Sequence, residues 1–243
     1  MGAASNGTLS LIKYLTKGLL VVVLVCSFGS TNAVSDAKWR SPCGASVGSI
    51  VGLPGGPPTA STNVLLEDML PVLRTAIAAA ESLKNKYISD RFSERRIPHL
   101  NGYHCDGMPV VSMTTSEIEE SLSDINLTHL SNYEKLSRVL IFLEQVRFDE
   151  TFMDSREATY NDDVQEIERN ILNVLCTKQR VIKNSGARID YISHTVMAPD
   201  LRVTMNENER HERDYVIIKD TYHLLQTMHI HVTAINNRLR SSQ

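Results

Sequence analysis

Apolar residues recur every three or four positions in four separate stretches of this chain of 243 residues. That spacing places them on one face of an α-helix, so each stretch predicts an amphipathic helix with an apolar stripe. The last stretch, residues 210–240, keeps the spacing for about seven turns, with no Gly or Pro to interrupt it. The other three predicted helices are residues 63–90, 129–147 and 161–183.

Two of these helices have further local signals. In the first, Pro71 cannot donate a backbone hydrogen bond, so the helix either starts near Pro71 or is kinked there. In the third, Asn161 or Asp162 is the expected cap, and Asn184-Ser185-Gly186 predicts the end. The stripe of this third helix consists of Val164, Ile167, Ile171, Val174, Lys178 and Val181.

The connections between the predicted helices are long, short and long. A short link joins antiparallel neighbours, whereas a long one can run the length of a bundle and place the next helix parallel. The sequence therefore predicts an all-α fold, a long-chain four-helix bundle of up-up-down-down topology with two long crossover connections.

The N-terminal segment has the pattern of a secretory signal peptide. Lys13 and Lys17 precede an apolar run, residues 18–29, and Ala33 offers a small residue at the cleavage position. We expect cleavage after residue 33, with an uncleaved signal anchor as the alternative. The expected product is secreted, extracellular and not inserted in the membrane.

The rest of the chain divides into two parts. Residues 34–62 form a leader in which Gly, Pro and Ser are frequent, typical of flexible or irregular chain. Residues 63–243 form the predicted helical domain.

Three cysteines follow the signal segment. An odd count in an oxidising compartment indicates one disulfide plus a free thiol, or an intermolecular bond. Cys43 and Cys105 both lie in predicted loops, so we expect them to pair. Cys176 falls within a predicted helix and is expected to be a packed free thiol. Asn126-Leu127-Thr128 is a glycosylation sequon, so Asn126 is the expected acceptor.

Motifs for catalysis or metal binding are not found. His223, His229 and His231 have no spacing of three or four residues, so a helix does not bring two of them together as metal ligands. The sequence contains no glycine-rich phosphate loop, nucleophile elbow or HExxH motif. A net charge of −3 gives no basis for nucleic-acid binding. We therefore expect neither an enzyme nor a bound cofactor or metal.

Four short stretches resemble one family of helical cytokines. They are "LPVLRTAIAAAESLKNKYI" (70–88), "CDGMPVVS" (105–112), "LTHLSNYEKLSRVLIFLEQV" (127–146) and "DYVIIKDTYHLLQTMHIHVTAINNRLR" (214–240). In this order they are similar to the first helix, first crossover, second helix and fourth helix of the ciliary neurotrophic factor and cardiotrophin-like cytokine branch of the interleukin-6 family.

The resemblance implies a secreted ligand, monomeric until it assembles class I cytokine receptors. Its expected partners are a glycoprotein-130-like chain, a leukaemia inhibitory factor receptor-like chain and, in some members, an alpha receptor. Receptor assembly in this family activates Janus kinases and STAT factors.

The resemblance also implies where receptors bind. One family surface combines the first crossover with the end of the fourth helix, which here gives Asp106, Met108, Arg238 and Arg240. A second involves the first and third helices, and a third surrounds the start of the fourth helix.

For this third surface the family has a phenylalanine and, after two residues, a lysine. This chain has Tyr215 and Lys219, separated by three residues. They still share a helix face, although Tyr215 also fits the apolar stripe. Ser116 stands where the family has a tryptophan, which places an alpha-receptor contact in doubt. A secreted helical carrier or structural protein, without receptor signalling, is the alternative function.

Overall fold

The computed structural model describes residues 37–44, 60–110, 114–152, 160–203 and 206–241. The predicted signal peptide and most of the predicted leader lie outside these ranges. The chain divides into two units, Met1–Lys38 and Trp39–Gln243, and the fold described is that of the second.

The described part of the chain is all-helical and contains no strand, which confirms the all-α prediction. Four helices are long, and the predicted ranges match them to within a few residues. Three short α-helices and one 3-10 helix, His194–Val196, lie in the connections between them. In chain order the seven α-helices of the described residues are α1 (Thr62–Arg91), α2 (Ile97–Asn101), α3 (Thr115–Ser123), α4 (Ile125–Phe152), α5 (Asn161–Asn184), α6 (Pro199–Arg202) and α7 (Glu207–Ser241).

Local signals account for several helix ends. α1 begins at Thr62 and continues through Pro71, so the prediction that it could start near Pro71 is wrong. Thr114 starts α3 with a capping box: its hydroxyl accepts from the Glu117 N–H, and the Glu117 carboxylate accepts from the Thr114 N–H. α5 ends as predicted, because Gly186 has a φ of +75°, a left-handed conformation that favours glycine.

Each long helix packs against two others. α1 contacts α5 and α7, and α4 contacts the same two helices. The apolar stripes meet between them and form the core; its fully buried side chains include Leu66, Leu73, Leu136, Leu140, Ile167, Ile171, Leu225 and Val232.

Polar contacts define which helix ends meet. Arg91, at the end of α1, pairs with Glu150 near the end of α4 and lies within hydrogen-bonding distance of His211, near the start of α7. At the other end of the domain, Arg240 of α7 pairs with Glu67 of α1.

The disulfide is not the predicted one. Cys43 is bonded to Cys176, 133 residues away in sequence, and Cys105 is free. The prediction was wrong because Cys176, although helical, lies off the apolar stripe of α5 and is only half-buried. Its side chain is therefore at the surface, where Cys43 can reach it.

The start of the second unit packs against the helices. Trp39 is fully buried, its indole N–H donates to the Ile192 carbonyl at 3.2 Å, and its own carbonyl accepts from the Tyr133 hydroxyl. Residues 39–44 of the predicted leader are thus tied to the helical domain by this anchor and by the disulfide.

Candidate receptor-binding surfaces

Lys219 of α7 belongs to the surface predicted around the start of the fourth helix, but it is buried, with 4% of its area exposed. Its ammonium group donates to the carbonyls of Leu100, Asn101 and Tyr103 at 3.3, 3.1 and 2.6 Å. These carbonyls lie at and just after the end of α2, where a helix leaves its last carbonyls short of backbone donors; the Leu100 carbonyl also accepts from the Tyr103 N–H. Lys219 therefore caps α2 and attaches the first crossover to α7.

Tyr215 lies one turn before Lys219 on α7 and is also buried. Its hydroxyl donates to the Asn101 side chain at 3.1 Å, and its ring packs edge-on against Phe92 at 5.8 Å. Tyr215 and Lys219 do share a face, as predicted. That face is covered by the crossover, because residues 92 and 100–103 pack over it.

Lys219→Met is therefore expected to lower the free energy of unfolding by about 2 kcal/mol, since three carbonyls would lose a charged donor. A urea titration monitored by circular dichroism measures this loss. Lys84→Met is the control, because Lys84 lies on α1 and its ammonium group only stacks over the Tyr222 ring. Equal stability of the Lys219 variant and the wild type would contradict the capping role.

The first-crossover residues lie beside the first half of α7. Gly107 has a φ of +87°, and a Cβ there would lie 2.4 Å from the Val196 carbonyl oxygen, so only glycine fits. On either side of this close contact, Met108 is buried and Asp106 is exposed. Of these two predicted residues, Asp106 is accessible to a partner.

Arg238 and Arg240 lie near the far end of α7 and are both exposed. Arg238 donates to the Leu122 carbonyl at 2.7 Å, at the end of α3. His104, next to the DGMP segment, contacts Asp220 of α7, which precedes Arg238 by 18 residues, or about 27 Å of helix. Asp106 and Met108 are therefore not brought together with Arg238 and Arg240. The part of the first crossover that contacts Arg238, near the end of α7, is α3.

Asn126 is exposed in the first turn of α4. The Thr128 hydroxyl of the same sequon donates to the Ser121 carbonyl at 2.7 Å. A glycan on Asn126 would project from the surface at the junction of α3 and α4, and its presence stays a prediction.

Of the three histidines considered as metal ligands, His223, His229 and His231, His231 is buried and His223 is exposed. In the part of the chain that the structure describes, no group of His, Cys, Asp and Glu side chains is arranged to hold a metal ion.

A buried charged cluster at the start of α7 was not predicted from sequence. Arg213 pairs with Asp149 of α4 and with Asp214 at 2.6 Å. Burial raises the pKa of Asp214 to about 7, although the Arg213 guanidinium opposes this shift. The near-continuous burial of residues 210–221 shows that other elements surround this end of α7. The burial of Arg213 and Asp214 could not be predicted from the sequence, because these charged residues lie outside the apolar stripe of the helix.

Cys105 lies against this end of α7, and its thiol is 3.9 Å from the Arg213 carbonyl. Burial, with a smaller contribution from Asp220, raises the pKa of the thiol to about 12. Because the thiolate is the reactive form, this cysteine is inert at neutral pH.

One exposed aromatic pair was also missed. Phe148 and Phe152 are one turn apart on α4, their ring centroids are 5.0 Å apart, and Phe152 is 70% exposed. Exposed aromatic side chains often anchor protein interfaces. Their position just beyond the predicted end of this helix, residue 147, was the available signal.

No helix in the described part of the chain is long and apolar enough to cross a membrane. Comparison with known proteins found no matching protein-family model, curated protein or solved structure. The resemblance to interleukin-6-type cytokines therefore rests on four short stretches and on the order of the helices.

Proposed function

We propose that this chain is a secreted helical cytokine that binds and assembles class I cytokine receptors of the glycoprotein-130 and leukaemia inhibitory factor receptor type. Assembly of these receptors would trigger Janus kinase–STAT signalling. The proposed topology is the up-up-down-down four-helix bundle with two long crossovers, which is the architecture of growth hormone and the cytokines. The observation that carries the proposal is the pattern of contacts between helix ends.

At one end of the domain, the ends of α1 and α4 meet each other and the start of α7 through Arg91, Glu150 and His211. The Glu150 carboxylate also accepts from the N–H of Tyr160, which precedes α5. These contacts support α1 and α4 running in one direction and α5 and α7 in the other.

The connections support the same topology. Residues 92–124 and 185–206 are long connections, and residues 153–160 are a short one. The two long connections contain short helices that pack against the long ones, as expected of crossovers that run along a bundle. The long and short connections alternate as the proposed topology requires.

Secretion is part of the proposal. The Cys43–Cys176 disulfide is compatible with an oxidising compartment, and the N-terminal segment has the signal-peptide pattern. The carrier alternative needs interior space for a ligand, whereas core positions such as Leu140, Phe142 and Leu225 are filled by closely packed apolar side chains.

The direct test applies the secreted protein to cells that carry a STAT reporter and either both receptor chains, one of them, or neither. Signalling only with the assembled receptors, together with binding to their purified ectodomains, is the expected result. Since one fold can host many functions, a correctly folded protein that binds neither ectodomain would refute the proposal.

Arg240→Glu is expected to weaken binding to one receptor chain at least fivefold without changing stability by more than about 1 kcal/mol. Its ion pair with Glu67 is exposed and contributes little to folding, whereas charge reversal in an interface adds repulsion. Arg238→Glu, on the same exposed end, should act in the same direction. Surface plasmon resonance with each ectodomain measures the effect.

Arg138→Glu is the matched control, because Arg138 also forms a surface ion pair with a glutamate, Glu134, but on α4. The resemblance places no receptor contact on that helix. If the Arg138 and Arg240 variants bound every receptor chain equally well, the end of α7 would not be a receptor surface.

A further inference from the structure

A cationic groove lies where the end of α5 meets residues 40–44 and the segment that follows Gly186. Its volume is about 730 Å³, and Arg40, Arg180, Lys183 and Arg188 line it. All four side chains are exposed. None of the four forms an ion pair with another residue that the structure describes, and no carboxylate lines the groove.

Three structural features bring these cations together. Arg180 and Lys183 are three positions apart on α5 and share a face. The left-handed turn at Gly186 reverses the chain and returns Arg188 to the same side. The Cys43–Cys176 disulfide holds the segment of Arg40 against α5.

The side chain of Gln179 connects the segment of Arg40 with that of Tyr191 across the groove. Gln179 donates to the Arg40 carbonyl at 3.3 Å and to the Tyr191 hydroxyl at 3.0 Å. The carbonyls at the end of α5, which would repel an anion, already accept from the N–H groups of Ser185, Gly186 and Ala187. The charge presented to solvent is therefore that of the four cations.

The geometry points to a binding site for a sulfated polysaccharide. Three guanidinium groups can each bind the oxygens of a sulfate in a bidentate way, and a flexible chain with regularly spaced sulfates can contact several of them in an open groove. Single-stranded nucleic acid is a poorer fit, because it binds through successive aromatic side chains and the groove has only Tyr191. The choice of an extracellular polyanion rests on the proposed secretion of the chain.

The test measures binding of the full secreted chain to a size-defined heparin oligosaccharide by calorimetry at several salt concentrations. The double variant Arg180→Glu/Arg188→Glu is expected to lose at least tenfold in affinity. The slope of log affinity against log salt should fall by about 2, since each ion pair to a polyanion releases about one counterion.

Arg74→Glu/Arg169→Glu is the matched control. It changes the net charge by the same amount at two exposed arginines that do not line the groove, and its affinity should change less than twofold. If the groove variant melts at a lower temperature than wild type, Arg180→Gln/Arg188→Gln replaces it. Cys43→Ser/Cys176→Ser should also weaken binding, because it releases the segment that carries Arg40.

The inference is overturned if the wild-type chain fails to bind heparin at physiological ionic strength, or if the groove and control variants bind equally. Equal binding of desulfated heparin, polyglutamate or a single-stranded oligonucleotide would also overturn it. Receptor binding is measured separately with purified ectodomains, so a chain that binds heparin but no receptor would refute only the proposed function.

Discussion

Replacing Lys178 by methionine is expected to stabilise the protein at pH 7 by on the order of 3 kcal/mol. Lys178 is fully buried in α5, and its ammonium group has no hydrogen-bond partner among the described residues. Burial lowers its pKa from 10.5 to about 7. Methionine has a similar length and no charge to desolvate, so it removes this cost while filling the same space.

The groups near Lys178 do not offset its charge. Burial, together with the nearby Lys178, lowers the pKa of His129 on α4 to about 3. His231 on α7 has a pKa lowered by burial and by Lys135 and Lys178. Both imidazoles are thus neutral at pH 7, and no carboxylate contributes to the pKa shift of Lys178.

The same pKa shift predicts a dependence of stability on pH. The unfolded chain holds the Lys178 proton up to about pH 10.5, whereas the folded chain releases it above about pH 7. Between these values the unfolded state binds more protons, so stability rises with pH. The expected gain is about 3 kcal/mol from pH 7 to 9.5, at about 1.4 kcal/mol per pH unit.

Urea titrations of wild type, Lys178→Met and the exposed-lysine control Lys183→Met at several pH values measure both effects. The rise in stability with pH should be present in wild type and Lys183→Met and largely absent in Lys178→Met. A destabilised Lys178→Met variant with an unchanged pH dependence would mean that the lysine is cationic and paired in the folded protein.

Removing the disulfide with Cys43→Ser/Cys176→Ser is expected to lower the free energy of unfolding by about 4 kcal/mol. The bond closes a loop between residues 133 positions apart, and a loop of that size loses much chain entropy in the unfolded state. Urea titration measures the loss. Cys105→Ala is the control, since it leaves the disulfide intact.

Trp39 provides a second measurement of the same variant. It is the only tryptophan in the chain and is fully buried four residues before Cys43. If the segment detaches when the bond is removed, the fluorescence of Trp39 shifts to longer wavelength before global unfolding. Unchanged fluorescence and unchanged stability together would show that packing alone holds residues 39–44 in place.

The four long helices were predictable because their signal is local. Periodicity of three to four residues depends only on helix geometry, so the stretches around Leu136, Ile171 and Leu225 could be identified without knowing their neighbours. The same pattern placed Lys178 on the buried face of α5. The left-handed turn at Gly186 was equally predictable, because it depends only on the backbone freedom of a single glycine.

The candidate site residues were less predictable, because a stripe describes only one side of a helix. Lys219 follows the buried Ile218 in α7, and its own position in the sequence is compatible with an exposed side chain. The path of the first crossover buries it, since α2 ends against this part of α7 and the carbonyls of Leu100, Asn101 and Tyr103 bind the ammonium group.

The sequence by itself determined where the helices lie and which face of each is apolar, because both depend on contacts within a few residues. The tertiary structure decided the partner of Cys176, the burial of Lys219 and the separation of Asp106 from Arg238. These depend on which distant segment covers the other faces of a helix. That choice is made by the packing of the whole domain and has no periodic signal in the chain.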